Sequence, residues 1–101
     1  TAWPILRDAA RWFIAIPDEL AANTMRRLAH PLPGDGPIVA GESAVAGLAA
    51  CIEVAQSASQ RQALRLDQHA RVLVFGTEGA TDRGMYEQIV GKSPADVLKE
   101  A

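Results

Sequence analysis

Apolar residues follow two patterns along this chain: recurrence at helical spacing, and short unbroken runs. Ile5, Leu6, Ala9, Trp12 and Phe13 share one helical face, and Trp3-Pro4-Ile5-Leu6 opens that helix with Pro4 tolerated in its first turn. Phe13-Ile14-Ala15-Ile16 is an apolar run that reads as a strand. Pro17-Asp18-Glu19 then starts a second helix, its acids set against the positive end of the dipole. That helix runs to about Ala29, with Arg26 and Arg27 near its negative end. His30-Pro31-Leu32-Pro33-Gly34-Asp35-Gly36-Pro37 is dense in helix breakers and reads as a loop.

Ile38-Val39-Ala40 is a very short predicted strand, and Gly41-Glu42-Ser43 is the turn after it. The next helix, from about Ala44 to Ala55, carries only Glu53 as a charge after its first turn and so reads as buried. Ser57–Leu66 reads as a further helix, with a break at Ser57-Ala58-Ser59. Arg71 leads into Val72-Leu73-Val74-Phe75, an apolar run that suits a strand buried on both faces. Gly76-Thr77-Glu78-Gly79-Ala80-Thr81-Asp82 follows as a polar turn. Asp82 to Val90 is a predicted helix, and Ser93 caps a last one with Pro94 first and Asp96 third. Strands alternating with helices imply an α/β fold, here three short parallel strands with flanking helices. So few strands leave open edges, so the chain reads as a fragment or as one that adds to another sheet.

Composition narrows the choices. The chain has 101 residues, 49% of them hydrophobic, which fits one small domain or a piece of a larger one rather than a disordered segment; with its open strand edges, 1–101 is read as a single partial domain. The net charge of −2 argues against a nucleic-acid surface. No apolar run approaches the roughly 20 residues that span a bilayer. Cys51 is the single cysteine, which excludes an internal disulfide and a Cys-rich zinc site. It points to a reduced, cytoplasmic setting.

Chemistry concentrates in two turns. Gly41-Glu42-Ser43 and Gly76-Thr77-Glu78-Gly79 each place a hydroxyl and a carboxylate after a predicted strand. In open parallel sheets ligands sit beyond the carboxyl ends of the strands. The helix after Ser43 would aim its N–H groups at the same end, where they could receive a phosphate or carboxylate. Read separately, each turn is explained by N-capping and solvation, and it is the pairing that favours a site. His30, His69 and Arg26-Arg27 are read as helix-end or solvated groups, and no catalytic residue or metal ligand is assigned.

These motifs resemble one family. Trp3-x-Ile5-Leu6-Arg7, Pro17-Asp18-Glu19, Met25-Arg26, Ile38-Val39-Ala40-Gly41-Glu42-Ser43, Leu66-Asp67 and Thr77-Glu78-Gly79-x-Thr81-Asp82 are similar to the C-terminal quarter of diaminopropionate ammonia-lyase. That family uses pyridoxal phosphate and has the tryptophan-synthase-β fold type of the threonine dehydratase group. The resemblance implies a C-terminal fragment of a three-layer domain. In the whole enzyme an α-proton leaves, then the β-amino group of 2,3-diaminopropionate, giving pyruvate and ammonia. It also implies that Thr77 meets the pyridine nitrogen of the cofactor, with Gly41, Glu42 and Ser43 close to its ring.

Two departures stand out. Ala44 replaces a family glycine, and Lys92 and Lys99 lie beyond the matched core, so neither carries over as the Schiff-base lysine. The isolated chain is therefore expected to be inactive and not to bind pyridoxal phosphate alone. Rival readings are a non-catalytic module that docks on another chain and a segment of a threonine or serine dehydratase-like enzyme. Self-association into a homo-oligomer is expected, with a small amino acid as substrate and neither nucleic acid nor membrane as partner.

Overall fold

The computed structural model describes residues 1–99 and contains six helices. They are α1 (Ala2–Ala9), α2 (Asp18–Ala29), α3 (Ala46–Ala55), α4 (Ala58–Leu64), α5 (Arg83–Val90) and α6 (Pro94–Lys99). Among the described residues there is no strand, which overturns the expected α/β fold. The predicted strands 13–16, 38–40 and 72–75 are non-helical backbone that enters no ladder. A strand exists only where a neighbour exchanges N–H and C=O bonds with it. Here Ile38 N donates instead to Leu28 O, at the end of α2. An apolar run alone does not supply the neighbour. Leu73 and Phe75 are accordingly 78% and 76% exposed rather than buried on two faces.

Local helix signals are obeyed closely. The Ser57 hydroxyl accepts from Gln60 N, so the predicted break is the cap of α4. The Asp82 carboxylate accepts from Met85 N at 3.0 Å and starts α5, which Gly91 closes at φ 88°. The Ser93 hydroxyl accepts from Asp96 N, with Pro94 first in α6. Pro17 stands one residue outside α2, whose first turn carries Asp18 and Glu19.

The core lies where α2 crosses α5. Ala21, Met25 and Ala29 of α2 meet Tyr86 and Val90 of α5, joined by Val97 of α6 and by Ala40, Ala44 and Val45. Arg26 adds a polar clamp: its Nε donates to Ile89 O at 2.8 Å and its Nη1 to Asn23 Oδ1. It therefore satisfies a carbonyl at the end of α5 rather than only its own helix end. Packing is lighter elsewhere. α3 buries only Ala49 and Val54, less than its apolar composition predicts, and α1 buries nothing. Trp3 and Phe13 instead meet each other, their ring centroids 6.2 Å apart. Among the described residues no helix is long and apolar enough to cross a membrane.

Candidate functional site

The two polar turns meet without a sheet to hold them. Gly41 N donates to Glu78 O at 3.3 Å. Ser43 N donates to Glu78 Oε1 at 3.1 Å, and the Thr81 hydroxyl donates to Glu78 Oε2 at 3.3 Å. Glu78 thus ties the two turns through its carbonyl and Oε1, while Oε2 braces its own turn at Thr81. The expected anion position near Ser43 is filled from within, because the carboxylate of Glu78 already accepts from Ser43 N. The helix itself begins three residues later, at Ala46.

Close approach is the reason for glycine at position 41. Gly41 is buried, and a Cβ there would lie 2.5 Å from Gly79 O and 2.6 Å from Glu78 Oε1. Ala44 is the counterpart case. Arg65 is the one non-glycine residue with positive φ among the described residues, so Ala44 carries no left-handed strain. Its methyl is buried in the core, and the departure from the family pattern is harmless here.

Between the turns and α5 lies a cleft of ≈ 250 Å³. Glu42, Ser43, Glu78 and Asp82 line it, with Met25, Met85 and Tyr86 as its apolar and aromatic wall. Tyr86 is 1% exposed, and its hydroxyl has no hydrogen-bond partner among the described residues. Burial pushes its phenol above the ordinary value of 10.0. A folded-state pKa above the unfolded one means this stability is fully present below the unfolded value and is lost as pH rises through the folded value. Tyr86→Phe is therefore expected to stabilise the chain by about 1 kcal/mol at neutral pH, because an orphaned buried hydroxyl disappears. It should also flatten the loss of stability above about pH 10. Denaturant titrations of both proteins across that range check this; a less stable phenylalanine variant would count against the orphaned hydroxyl.

Of the residues picked out in the sequence, Gly41, Glu42 and Ser43 line the cleft, and Thr77 does not. Thr77 is exposed, and its hydroxyl makes no hydrogen bond among the described residues. Tyr86 escaped sequence reasoning because nothing in a helical apolar pattern marks a hydroxyl without a partner. Glu78 was visible as a turn carboxylate, but not its reach to Ser43, 35 positions away. Cys51 is half-buried and lines a separate apolar groove with Val54 and Leu64.

No protein-family model matches the chain. It is 41% identical over 93 residues to the diaminopropionate ammonia-lyase of Salmonella typhimurium, a match covering 88% of this chain and 23% of that protein. The enzyme of the same name from Escherichia coli K12 is 41% identical over 91 residues, 87% of this chain and 23% of that protein. The chain resembles the C-terminal region of diaminopropionate ammonia-lyase. It spans about a quarter of the length of the curated relatives it matches. The ammonia-lyase resemblance takes in almost the whole chain, and with it both turns.

Proposed function

We propose that this chain is the C-terminal segment of a pyridoxal-phosphate-dependent ammonia-lyase that releases pyruvate and ammonia from 2,3-diaminopropionate. The observation that carries the reading is the match to two such lyases at 41% identity across nearly the whole chain. The joined turns support it, since Glu78, next to Thr77 in sequence, is bonded to Gly41 and Ser43.

The residues fit one edge of the cofactor. Thr77, exposed and hydrogen-bonded to nothing among the described residues, can meet a pyridine nitrogen. The cleft does not fit the phosphate: carboxylates line it and no Lys, Arg or His does. The phosphate and the Schiff-base lysine would belong to sequence beyond this chain. When bound, the cofactor supplies the electron sink for loss of the α-proton. The chain's part is orientation. A neutral Thr77 hydroxyl, unlike a carboxylate, does not hold a proton on the ring nitrogen. Glu78 fixes the loop that carries Thr77, and Gly41 lets the two turns close.

The test uses a longer protein carrying this segment. It should release pyruvate from 2,3-diaminopropionate, whereas the 101-residue chain should not. Thr77→Val should lower kcat by about tenfold or more with little change in KM, and Thr77→Ser should restore it. A longer protein with no such activity, or a valine variant with native kcat, defeats the reading.

A further inference from the structure

Asp35 stands apart from the other aspartates of the chain. Asp8, Asp18 and Asp96 lie in α1, α2 and α6. Asp67 accepts from His69 N, and Asp82 accepts from Met85 N. Asp35 lies in no helix, and its carboxylate has no hydrogen bond or ion pair among the described residues. It is also the one aspartate followed by glycine; Ala9, Glu19, Gln68, Arg83 and Val97 follow the others.

The local backbone leaves this pair open. Leu32-Pro33-Gly34-Asp35 is a turn in which Asp35 N donates to Leu32 O at 3.0 Å, with Gly34 at φ 96°. The next N–H, that of Gly36, donates to no acceptor among the described residues. Asp35 and Gly36 are both exposed, and a Cβ at position 36 would meet nothing within 4 Å. Gly36 also lacks the positive φ that favours glycine. The fold therefore makes no use of its missing side chain. Chemistry can use it, because without a Cβ the Gly36 nitrogen reaches the neighbouring side chain unhindered.

We infer that Asp35-Gly36 is a site of spontaneous isoaspartate formation. The Gly36 nitrogen attacks Asp35 Cγ of the protonated carboxyl group; the N–Cγ bond forms, and the carboxyl OH leaves with the amide proton as water. Water then opens the cyclic imide. Opening at Cγ restores aspartate. Opening at the main-chain carbonyl of Asp35 breaks its bond to Gly36 N, and the chain then runs through Cγ. Mass is unchanged overall, and no oxidant or reductant takes part. The main chain gains one carbon, in the connector between α2 and the Gly41 turn and ahead of the bond from Ile38 N to Leu28 O. The former carbonyl becomes a free α-carboxylate, the group that an isoaspartyl methyltransferase esterifies with S-adenosylmethionine. The site does not depend on the lyase reading.

The experiment ages the purified 101-residue chain at neutral pH and physiological temperature, then digests it with a protease that cuts before aspartate and maps the products by mass spectrometry. A growing fraction of unchanged mass is expected that resists cutting at Asp35 and accepts a methyl group from the methyltransferase. Cutting at the other five aspartates should stay constant. Gly36→Ala should slow the conversion several-fold, and Asp35→Glu should abolish it, since the larger ring closes poorly. Both variants spare the fold, because Asp35 is exposed and unpaired and position 36 has room for a methyl group. Absence of isoaspartate, equal accumulation at another aspartate, an unchanged rate in Gly36→Ala or methylation persisting in Asp35→Glu overturns the inference.

Discussion

Met25→Ala should lower the stability of the chain by about 3 kcal/mol, the usual range for emptying a buried methionine site. Met25 is 2% exposed and lies in the core that α2 shares with α5, so several helices lose contact at once. The loss has two parts: the transfer energy of the removed atoms and the cavity left behind. For a domain of this size the melting temperature should fall by about 12–24 °C. Met25→Leu conserves volume and should cost less than about 1.5 kcal/mol. Leu32→Ala is the surface control, because Leu32 is 76% exposed. Thermal or urea unfolding of the three variants checks the order. Equal stabilities would mean that the α2–α5 contact is not the core.

Gly41→Ala is the second large effect, expected at about 2 kcal/mol by the overpacking scale. The obstacle is not backbone conformation, since Gly34 and Gly91 are the glycines with positive φ among the described residues. It is the collision of a new methyl with the carbonyl oxygen of Gly79, 2.5 Å away, which is main chain and cannot rotate aside. Relief requires the two turns to separate, and separation breaks the bond from Gly41 N to Glu78 O. The same change should therefore loosen Thr77 in the longer protein and lower its activity. Gly79→Ala is the matched control: a Cβ there meets nothing within 4 Å. Unfolding midpoints of the two variants, measured side by side, decide the matter; a Gly41 variant as stable as the Gly79 one would contradict the close approach.

How far the sequence speaks for itself depends on the range of each interaction. The caps of α4, α5 and α6 at Ser57, Asp82 and Ser93 were legible, because a cap is decided within three residues. Residues 13–16, 38–40 and 72–75 read as strands and are not, because an apolar run reports burial preference and not the presence of a pairing neighbour. The composition of α3 predicts burial on every side, yet only Ala49 and Val54 are fully buried. At the site, Gly41, Glu42 and Ser43 were found by their turn chemistry. The bond from Ser43 to Glu78 and the solitary hydroxyl of Tyr86 were not, since each is a product of tertiary placement.

The clamp of Arg26 on Ile89 joins positions 63 residues apart, and the core it borders brings α2 onto α5. Between these helices runs the exposed stretch 67–77. Closing so long a loop carries an entropy cost that local contacts cannot offset early. The helices should therefore form before the core does, with union of α2 and α5 as the late, rate-setting event. Once that union is made, the chain's two halves are held by their shared interior as well as by the backbone between them. A single protease cut within 67–77 should thus leave both pieces associated, separating only when denaturant dissolves the core.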